Sequence, residues 1–399
     1  MTSSIKILRF KYLKRQRLLT LALIITAASL LFSITALSLL GFYKGFTAYL
    51  GGEGGEDIIA VYNSKSRTPY TGSVPAYLAY RLASVKGVVA TSPEVMAPCL
   101  INDQAAFLRG IVPESFTKLN PLKIVRGSMF NLSDFGSAMV GERIAKRLGL
   151  NLNDRLLLIG VLADRYMELW VKGIFASNSI MDDEVLAPLH VGQWLRGMDY
   201  GSITIIRLKV DRSTVSLSEV FEKVASEAAQ PIQPIPGQGK SAAQEPVMPW
   251  TIRRFSIEDI GVEEASKYMK GYMERYGVTR EALVTLSAAV FLFSSSTIVI
   301  ALKTVLSQHK DELSLLRALG ASKRLLKVDM LIKLLPWTFT ASAAGFLIAS
   351  AILGVIQGLG YMQVLSHTVP FWLDPSIAAL NFILAFTLVS VSVLGSGIE

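Results

Sequence analysis

The sequence predicts a membrane protein in which four transmembrane α-helices carry a large α+β domain, inserted between the first and the second helix on the extracytoplasmic side. Apolar residues make up 51% of the 399 residues, and only 18% are charged, a composition that is unusual for a soluble protein. Four segments contain no Asp, Glu, Lys or Arg over about 20 residues or more, which is enough to cross a bilayer as a helix. Between the first two segments, strand-like and helix-like patterns alternate, which indicates a folded domain with its own core.

The four predicted spans divide the chain into membrane and aqueous segments. The spans are residues 18–43, 282–302, 334–357 and 376–398. Between the first two spans lie an α+β domain (residues 44–229), a Pro- and Gln-rich linker (230–255) and a stalk helix (256–281). The other segments are a cytosolic basic segment (1–17), a cytosolic loop (303–333) and an outer loop (358–375). The first apolar run is about 25 residues long, longer than the core of a signal peptide, so we expect an uncleaved anchor.

The distribution of charge predicts the orientation of the chain. The net charge is +9, and the positive excess lies before the first span and in the loop at residues 303–333. Because Lys and Arg accumulate on the cytosolic side, we place both termini and this loop in the cytosol and residues 44–280 outside the cell. The predicted location is the cell membrane. Charge that is confined to these segments argues against nucleic acid as a partner.

The cytosolic loop contains a helix, a glycine break and a second helix. Residues 308–319 are amphipathic, with apolar residues at helical spacing at Leu313, Leu316 and Leu319. Gly320 ends this helix, and Ser322 can cap a second helix that runs on into the third span.

Two stretches of this loop, residues 310–313 and 316–323, resemble the loop after the second transmembrane helix of FtsX/MacB-type permeases, the membrane subunits of ABC transporters. In that family the loop is a coupling helix seated on a cytosolic ATPase. The resemblance implies the same task for Glu312, Leu313, Leu316, Arg317 and Gly320. The alternative is an amphipathic helix that lies on the bilayer surface without a protein partner.

The domain after the first span combines predicted strands and helices. Strands are predicted at residues 58–61, 87–96, 105–111, 138–140, 155–159, 167–175 and 202–210, and helices at residues 75–85, 141–148, 190–198 and 216–228. Four stretches resemble the extracytoplasmic domain of MacB-type permeases, at residues 126–130, 141–150, 171–175 and 181–189. A helix at residues 256–276 is expected to continue as a stalk into the second span.

No set of residues in the sequence predicts an enzyme, a cofactor site or a metal site. Residues 234–241 approach a phosphate-binding loop, but a proline replaces its first glycine and the stretch is predicted to lie outside the cell, so we expect ATP to be bound by a partner ATPase. Asp182, Asp183 and Glu184 are consecutive carboxylates that should point in different directions, and we expect a solvated turn before a strand. Cys99 is the only cysteine, so no intrachain disulfide can form.

Small polar residues in the first two spans permit close contact between helices. The resemblance implies that these helices form a dimer interface with a second copy of the permease or with a paralogue. The residues predicted for this interface are Ser29, Ser33, Ser294, Ser295 and Ser296. A similar face in the third span is expected to pack within the subunit, at Ala341, Gly345 and Ala349.

The resemblance implies a permease subunit of an ABC transporter without an ATPase site of its own. The spans contain almost no ionisable residues and so show no polar path across the membrane. The implied mechanism is mechanotransmission, in which a separate ATPase moves the outer domain to export or extract a lipid, lipoprotein, peptide or drug. Two other functions stay open, a signalling module that regulates an extracellular hydrolase, as in division-type FtsX proteins, and a membrane-anchored scaffold. Members of the family usually continue past the fourth span with a basic tail, whereas this sequence ends at Glu399.

Cysteine labelling in intact cells tests the predicted orientation. In a Cys99→Ser background, Gly239→Cys should react with a membrane-impermeant maleimide, because the linker is predicted to lie outside. Ser322→Cys should react only after the cells are opened. Labelling of Ser322→Cys alone in intact cells would reverse the assignment of the two sides.

Overall fold

The computed structural model describes residues 13–50, 57–229, 259–359, 363–364, 366–369 and 373–395. They divide into a membrane unit, drawn from Met1–Tyr43, Gly277–Met362 and Val369–Glu399, and an outer unit, drawn from Lys44–Tyr276 and Gln363–Thr368. A short segment between the third and the fourth span therefore belongs to the outer unit. The linker predicted at residues 230–255 lies outside the described residues.

The described residues contain eleven α-helices. They are α1 (Arg15–Thr47), α2 (Tyr77–Leu82), α3 (Pro113–Leu119), α4 (Glu142–Leu148), α5 (Leu189–Arg196), α6 (Leu217–Ala229), α7 (Ala265–Arg275), α8 (Arg280–Ser307), α9 (Lys310–Ala318), α10 (Lys323–Gly358) and α11 (Pro375–Leu394). Four of them, α1, α8, α10 and α11, are long and apolar enough to cross a membrane. Each overlaps one predicted span, which confirms the predicted four-helix membrane class.

The described strands number fourteen. They are β1 (Ile58–Asn63), β2 (Val74–Pro75), β3 (Val88–Ile101), β4 (Gln104–Ile111), β5 (Lys123–Gly127), β6 (Ser137–Gly141), β7 (Arg155–Gly160), β8 (Tyr166–Ala176), β9 (Glu184–Pro188), β10 (Ser202–Ile203), β11 (Ile205–Val210), β12 (Ile260–Glu264), β13 (Gln363–Val364) and β14 (His367–Thr368). All fourteen lie in the outer unit, and a 3₁₀ turn at Ile180–Asp183 precedes β9.

Ten of these strands form one mixed sheet, in the order β12-β1-β11-β3-β4-β9-β6-β8-β5, with β7 paired to β3 and β8. Met139 and Val140 are neighbours on β6 and belong to two different apolar clusters, so both faces of the sheet are covered. Helix α5 packs on β3 and β4. This packing brings two glycines together, because a Cβ atom on Gly192 would lie 2.8 Å from the Cα of Gly110, and one on Gly110 would lie 3.0 Å from the Cα of Gly192.

The segment at residues 256–281 is not the single stalk helix that the sequence predicted. Its residues 260–264 form β12, which pairs antiparallel with β1 and buries Ile260 and Val262. Helix α7 ends before Gly277, whose φ angle is +76°, and α8 begins after Thr279, whose hydroxyl accepts a hydrogen bond from the N–H of Ala282. A left-handed residue cannot continue an α-helix. The prediction of one continuous helix was therefore wrong.

Helices α1 and α10 pack closely within the membrane unit. The Ser29 hydroxyl lies 3.4 Å from the Ser342 hydroxyl, and a Cβ atom on Gly345 would lie 2.6 Å from the carbonyl oxygen of Thr26. The small residues of the third span thus pack within the subunit, as predicted for Gly345.

The same packing corrects the predicted dimer interface. The side chains of Ser29, Ser33, Ser294 and Ser295 are between 0 and 7% exposed. They are enclosed by helices of their own subunit, so they are not available to a second copy. Ser296 is the one residue of the predicted set with an exposed side chain.

Two glycines of α10 offer a test of this packing. We expect Gly345→Ala to destabilise the membrane unit by about 1–3 kcal/mol, because the new methyl group would overlap the backbone of α1. Gly354→Ala is the matched control, since a Cβ atom there meets nothing within 4 Å, and it should be neutral or stabilising by up to about 1 kcal/mol. Thermal unfolding of the purified full chain in detergent measures both. Equal melting temperatures for the two variants would contradict the close α1–α10 contact.

Candidate functional site

Helix α9 has a buried and an exposed apolar side. Leu313 and Leu316 are 4 and 5% exposed and belong to the apolar core of the membrane unit. Leu315 lies on the opposite side and is 59% exposed, and Leu319, the residue directly after the helix, is 75% exposed. The sequence-based expectation that Leu316 is an apolar anchor for a partner is corrected by this burial. Leu313 and Leu316 attach the helix to its own subunit, and the apolar groups open to a partner are Leu315 and Leu319.

The turn after α9 is a well-formed helix end. Gly320 adopts a φ angle of +96°, and the N–H of Ala321 donates to the carbonyl oxygen of Leu316 at 3.1 Å, which is the long hydrogen bond of a Schellman motif. The hydroxyl of Ser322 accepts from the N–H of Leu325 at 3.2 Å and caps α10. The glycine break and the cap that the sequence predicted are both confirmed. Between α9 and α10 the backbone is therefore held by hydrogen bonds and cannot act as a loose hinge.

The start of α9 is attached to the N-terminal end of α1 and to Lys14 directly before it. Arg17 donates from Nη1 to the carbonyl oxygen of Gln308 at 2.5 Å. His309 is fully buried, with Nδ1 2.7 Å from the carbonyl oxygen of Val305 and Nε2 3.3 Å from the backbone nitrogen of Lys14. In this arrangement Nε2 accepts a hydrogen bond from the Lys14 N–H and Nδ1 faces a carbonyl oxygen. Both ends of α9 are thus held by the membrane unit, and of the predicted coupling residues Glu312 and Arg317 are partly exposed.

A second cluster of functional groups lies in the interior of the outer unit. Arg109 on β4 binds Glu184 on β9 through two nitrogens, at 2.6 and 3.0 Å, and Glu94 on β3 through the third, at 2.6 Å. Arg207 on β11 binds the other oxygen of Glu94 at 2.7 Å. All four side chains are at most 1% exposed. We call these four residues the buried quartet; they cross four neighbouring strands and combine two positive with two negative charges.

Within the quartet, Arg109 and Glu184 stabilise each other's charge. Burial alone would raise the pKa of Glu184, but the charge of Arg109 and the hydrogen bonds from His367 and Arg109 outweigh burial and lower this pKa to about 2. Burial would likewise lower the pKa of Arg109, yet Glu184 and its other neighbours raise it well above its ordinary value. The pair therefore stays ionised at neutral pH.

The quartet also holds residues from distant parts of the chain. The Tyr49 hydroxyl, two residues beyond α1, donates to Glu184, and burial raises the pKa of this tyrosine well above its ordinary value. His367 on β14 lies 3.0 Å from the same carboxylate oxygen, and its ring meets the Tyr49 ring edge-on at 5.1 Å. The Nη1 of Arg207 donates to the carbonyl oxygen of Leu50 at 2.8 Å.

The carboxylates at positions 182–184 are buried, which corrects the prediction of a solvated turn. Asp182, Asp183 and Glu184 are 5, 1 and 0% exposed. Asp183 binds the Nε of Arg143 at 3.0 Å, and Asp182 accepts from the backbone and the hydroxyl of Ser177 at 2.6 and 2.7 Å. The described residues include no group of three or more His, Cys, Asp or Glu side chains placed to hold a metal ion. These carboxylates are instead occupied by cations and donors of the chain itself.

Sequence reasoning missed the quartet, although one feature of the sequence marks it. Arg109 and Arg207 each interrupt a strand whose other residues are almost all apolar. A charge on such a strand is rarely buried without a partner. The sequence could thus indicate that buried partners exist, but not which residues they are.

Two sequence-family comparisons decide the family. The model described as "MacB-like periplasmic core domain" matches residues 18–227, more than half of the chain. The model described as "FtsX-like permease C-terminal" matches residues 284–398. The chain belongs to the FtsX/MacB-like permeases. Permeases of this family are membrane components of ABC transporters and generally lack an ATPase site, so the family implies a separate ABC ATPase as partner and a membrane protein with an extracellular domain.

Three solved structures are similar to parts of the permease. The periplasmic region of MacB from Actinobacillus actinomycetemcomitans is 14% identical, with a TM-score of 0.37, and the match covers 55% of this chain and 94% of that one. The extracellular domain of the noncanonic ABC-type transporter YknZ from Gram-positive bacteria is 14% identical (TM-score 0.33; 43% and 91% covered). A permease domain from Porphyromonas gingivalis is 15% identical (TM-score 0.30; 42% and 81% covered). No curated protein matches the chain.

Replacing Arg109 tests the quartet in the permease. We expect Arg109→Met to destabilise the outer unit by about 3–5 kcal/mol, because Glu184 and Glu94 would remain buried without their shared counter-ion. Arg155→Met is the matched control, since Arg155 pairs with Glu168 at 3.1 Å but is 64% exposed, and its loss should cost at most about 1 kcal/mol. Limited proteolysis of the full-length permease in increasing urea measures the loss of stability in both variants. Equal resistance of the two variants would show that the quartet does not hold the domain together.

Proposed function

We propose that the permease couples ATP hydrolysis by a separate cytosolic ATPase to movements of its outer domain, and that these movements export or extract a lipid, lipoprotein, peptide or drug. The observation that carries this proposal is the two-sided burial of α9. Leu313 and Leu316 attach the helix to the membrane unit, and Leu315 and Leu319 present apolar surface to the aqueous side. A short helix held in this way is suited to receive a push from a partner and pass it to the membrane helices.

The surroundings of Leu315 and Leu319 favour a protein partner. Exposed Lys310 and Asp311 lie on the same helix, so the two leucines form a small apolar centre beside charged groups, the usual arrangement at a protein contact. The turn at Gly320 is held by hydrogen bonds, which favours the transfer of force from α9 to α10 over its dissipation in a loop.

The composition of the membrane helices supports a mechanical role. No Asp, Glu, Lys or Arg lies between Arg17 and Lys44, between Glu281 and Lys303, or between Lys333 and Asp374. Charged residues inside membrane spans commonly mark the paths of polar substrates and ions. We therefore infer that the cargo does not pass through the centre of this helix bundle.

We further propose that the permease works as a dimer with a second copy or a paralogue, with both termini in the cytosol. The contact surface is the exposed side of α8, where Leu292, Phe293 and Ile300 are 65, 80 and 65% exposed. Ser296 lies among these residues and is the one serine of the predicted interface that keeps this role. Two ATPases that close on each other would then act on two adjacent copies of α9.

Truncation of the exposed leucines tests the coupling proposal. Each of Leu315→Ala and Leu319→Ala should weaken ATPase binding by about 1–3 kcal/mol, because each removes apolar area that the partner would cover. Leu347→Ala is the matched control, since Leu347 is 65% exposed on the membrane-spanning part of α10 and should leave binding unchanged. Co-purification and ATP turnover of nanodisc-reconstituted complexes are the measurements.

A backbone variant complements these truncations. Gly320→Val places a β-branched residue at a φ angle of +96°, which side chains rarely adopt, while no atom lies within 4 Å of the new Cβ. We expect ATPase binding to persist and stimulation of ATP turnover by cargo to fall.

ATPase binding at the wild-type level by both leucine variants would refute the assignment of α9 as the contact.

A further inference from the structure

The hairpin between the third and the fourth span is built into the outer unit. Strands β13 and β14 pair through Gln363↔Thr368 and Val364↔His367, and Ser366, His367 and Thr368 are only 6, 2 and 2% exposed. In the sequence, this hairpin is the connection between α10 and α11. A connection that only reversed the chain direction would stay at the surface, so its burial calls for another explanation.

Three consecutive residues of the hairpin are held by hydrogen bonds to charged side chains. Asp183 accepts from the backbone N–H of Thr368 at 2.9 Å and from its hydroxyl at 3.0 Å. The Nη1 of Arg147 donates to the carbonyl oxygen of Ser366 at 3.2 Å, and His367 binds Glu184 at 3.0 Å. Hydrogen bonds of this kind are strong and directional. The hairpin therefore cannot slide along the outer unit without breaking several of them together.

These contacts end in the middle of the sheet. Glu184 is the first residue of β9, which pairs with β4 on one side and with β6 on the other, and Asp183 ends the 3₁₀ turn directly before it. Glu184 is in turn held by Arg109. A force applied to the hairpin is consequently delivered to an interior strand of the outer domain and not to a surface loop.

One helix connects the hairpin to the segment that follows α9. Helix α10 begins at Lys323, directly after the capping residue Ser322, and ends at Gly358, four residues before the hairpin. Its 36 residues span about 54 Å at 1.5 Å per residue, which exceeds the thickness of the hydrocarbon core. The chain thus runs from the proposed ATPase contact to the hairpin almost entirely within a single helix.

We propose that the β13–β14 hairpin is a strap through which α10 and α11 move the outer domain, with Asp183 and Glu184 as its attachment points. The proposal rests on the proposed function, because it assigns a route to the movement that the ATPase drives. Thr368 and His367 act as positioning residues of this route. It is separate from the direct chain connections of the outer domain to α1 and α8.

The first experiment measures the attachment without any ATPase. Hydrogen exchange of the full-length permease in nanodiscs should show peptides that contain Thr368 protected to a similar extent as those of β9. In the double variant Thr368→Val/His367→Phe, which removes the hydroxyl and imidazole bonds, exchange at the hairpin should accelerate about tenfold while β9 stays protected. Glu168→Gln, which removes an exposed ion pair of the same sheet, is the matched control and should leave the hairpin unchanged.

The second experiment measures transmission. Spin labels on the outer domains of the complex with the partner ATPase should report a distance change on binding of a non-hydrolysable ATP analogue, in the wild type and in Glu168→Gln. The double variant should keep its ATPase, because α9 is untouched, but lose most of the distance change.

The possible results separate the strap from the proposed function. Rapid exchange of the hairpin in the wild type would overturn the strap and leave the proposed function intact. If the hairpin is protected in the wild type but the double variant shows a normal distance change, the strap is overturned and the proposed function stands. Absence of any distance change in the wild type would refute the proposed function, and the strap with it.

Discussion

The outer domain depends on the contact between the guanidinium group of Arg109 and two carboxylates, Glu184 and Glu94. At zero exposure none of these ions can be solvated by water, so each requires the others at short distance. This requirement aligns β3, β4 and β9, and Arg207 extends it to β11. Because these hydrogen bonds between charged groups have preferred directions and distances, they fix the register of the central strands.

The features that sequence could predict are those with a local physical cause. Long apolar runs identified the four spans, because bilayer thickness sets their length. Gly320 was assigned to a helix end and has a φ angle of +96°, and Ser322 was assigned to a cap. Each of these assignments needs only a few neighbouring residues, so no knowledge of tertiary contacts was required.

The features that sequence could not predict depend on distant partners. Asp183 and Glu184 resemble a hydrated acidic turn until Arg143 and Arg109 are known to face them. The pattern of α9 revealed an apolar stripe at Leu313 and Leu316 but not that the subunit itself covers this stripe. Likewise, small serines in a span indicate close packing without saying whether the neighbouring helix belongs to the same chain. Strand β12 was missed because its partner, β1, lies about 200 residues earlier.

The attachment of His367 to Glu184 also constrains how the protein is made. The two residues are 183 positions apart, and α8 and α10 are synthesised between them. The ribosome completes all strands from β1 to β12 before His367 is synthesised. The sheet therefore leaves the ribosome before the hairpin that binds to it. The outer domain reaches its final packing only after the third membrane helix has left the ribosome. Biogenesis of the two units is thus interlocked, and a chain halted before β14 presents an unfinished domain to quality-control proteases.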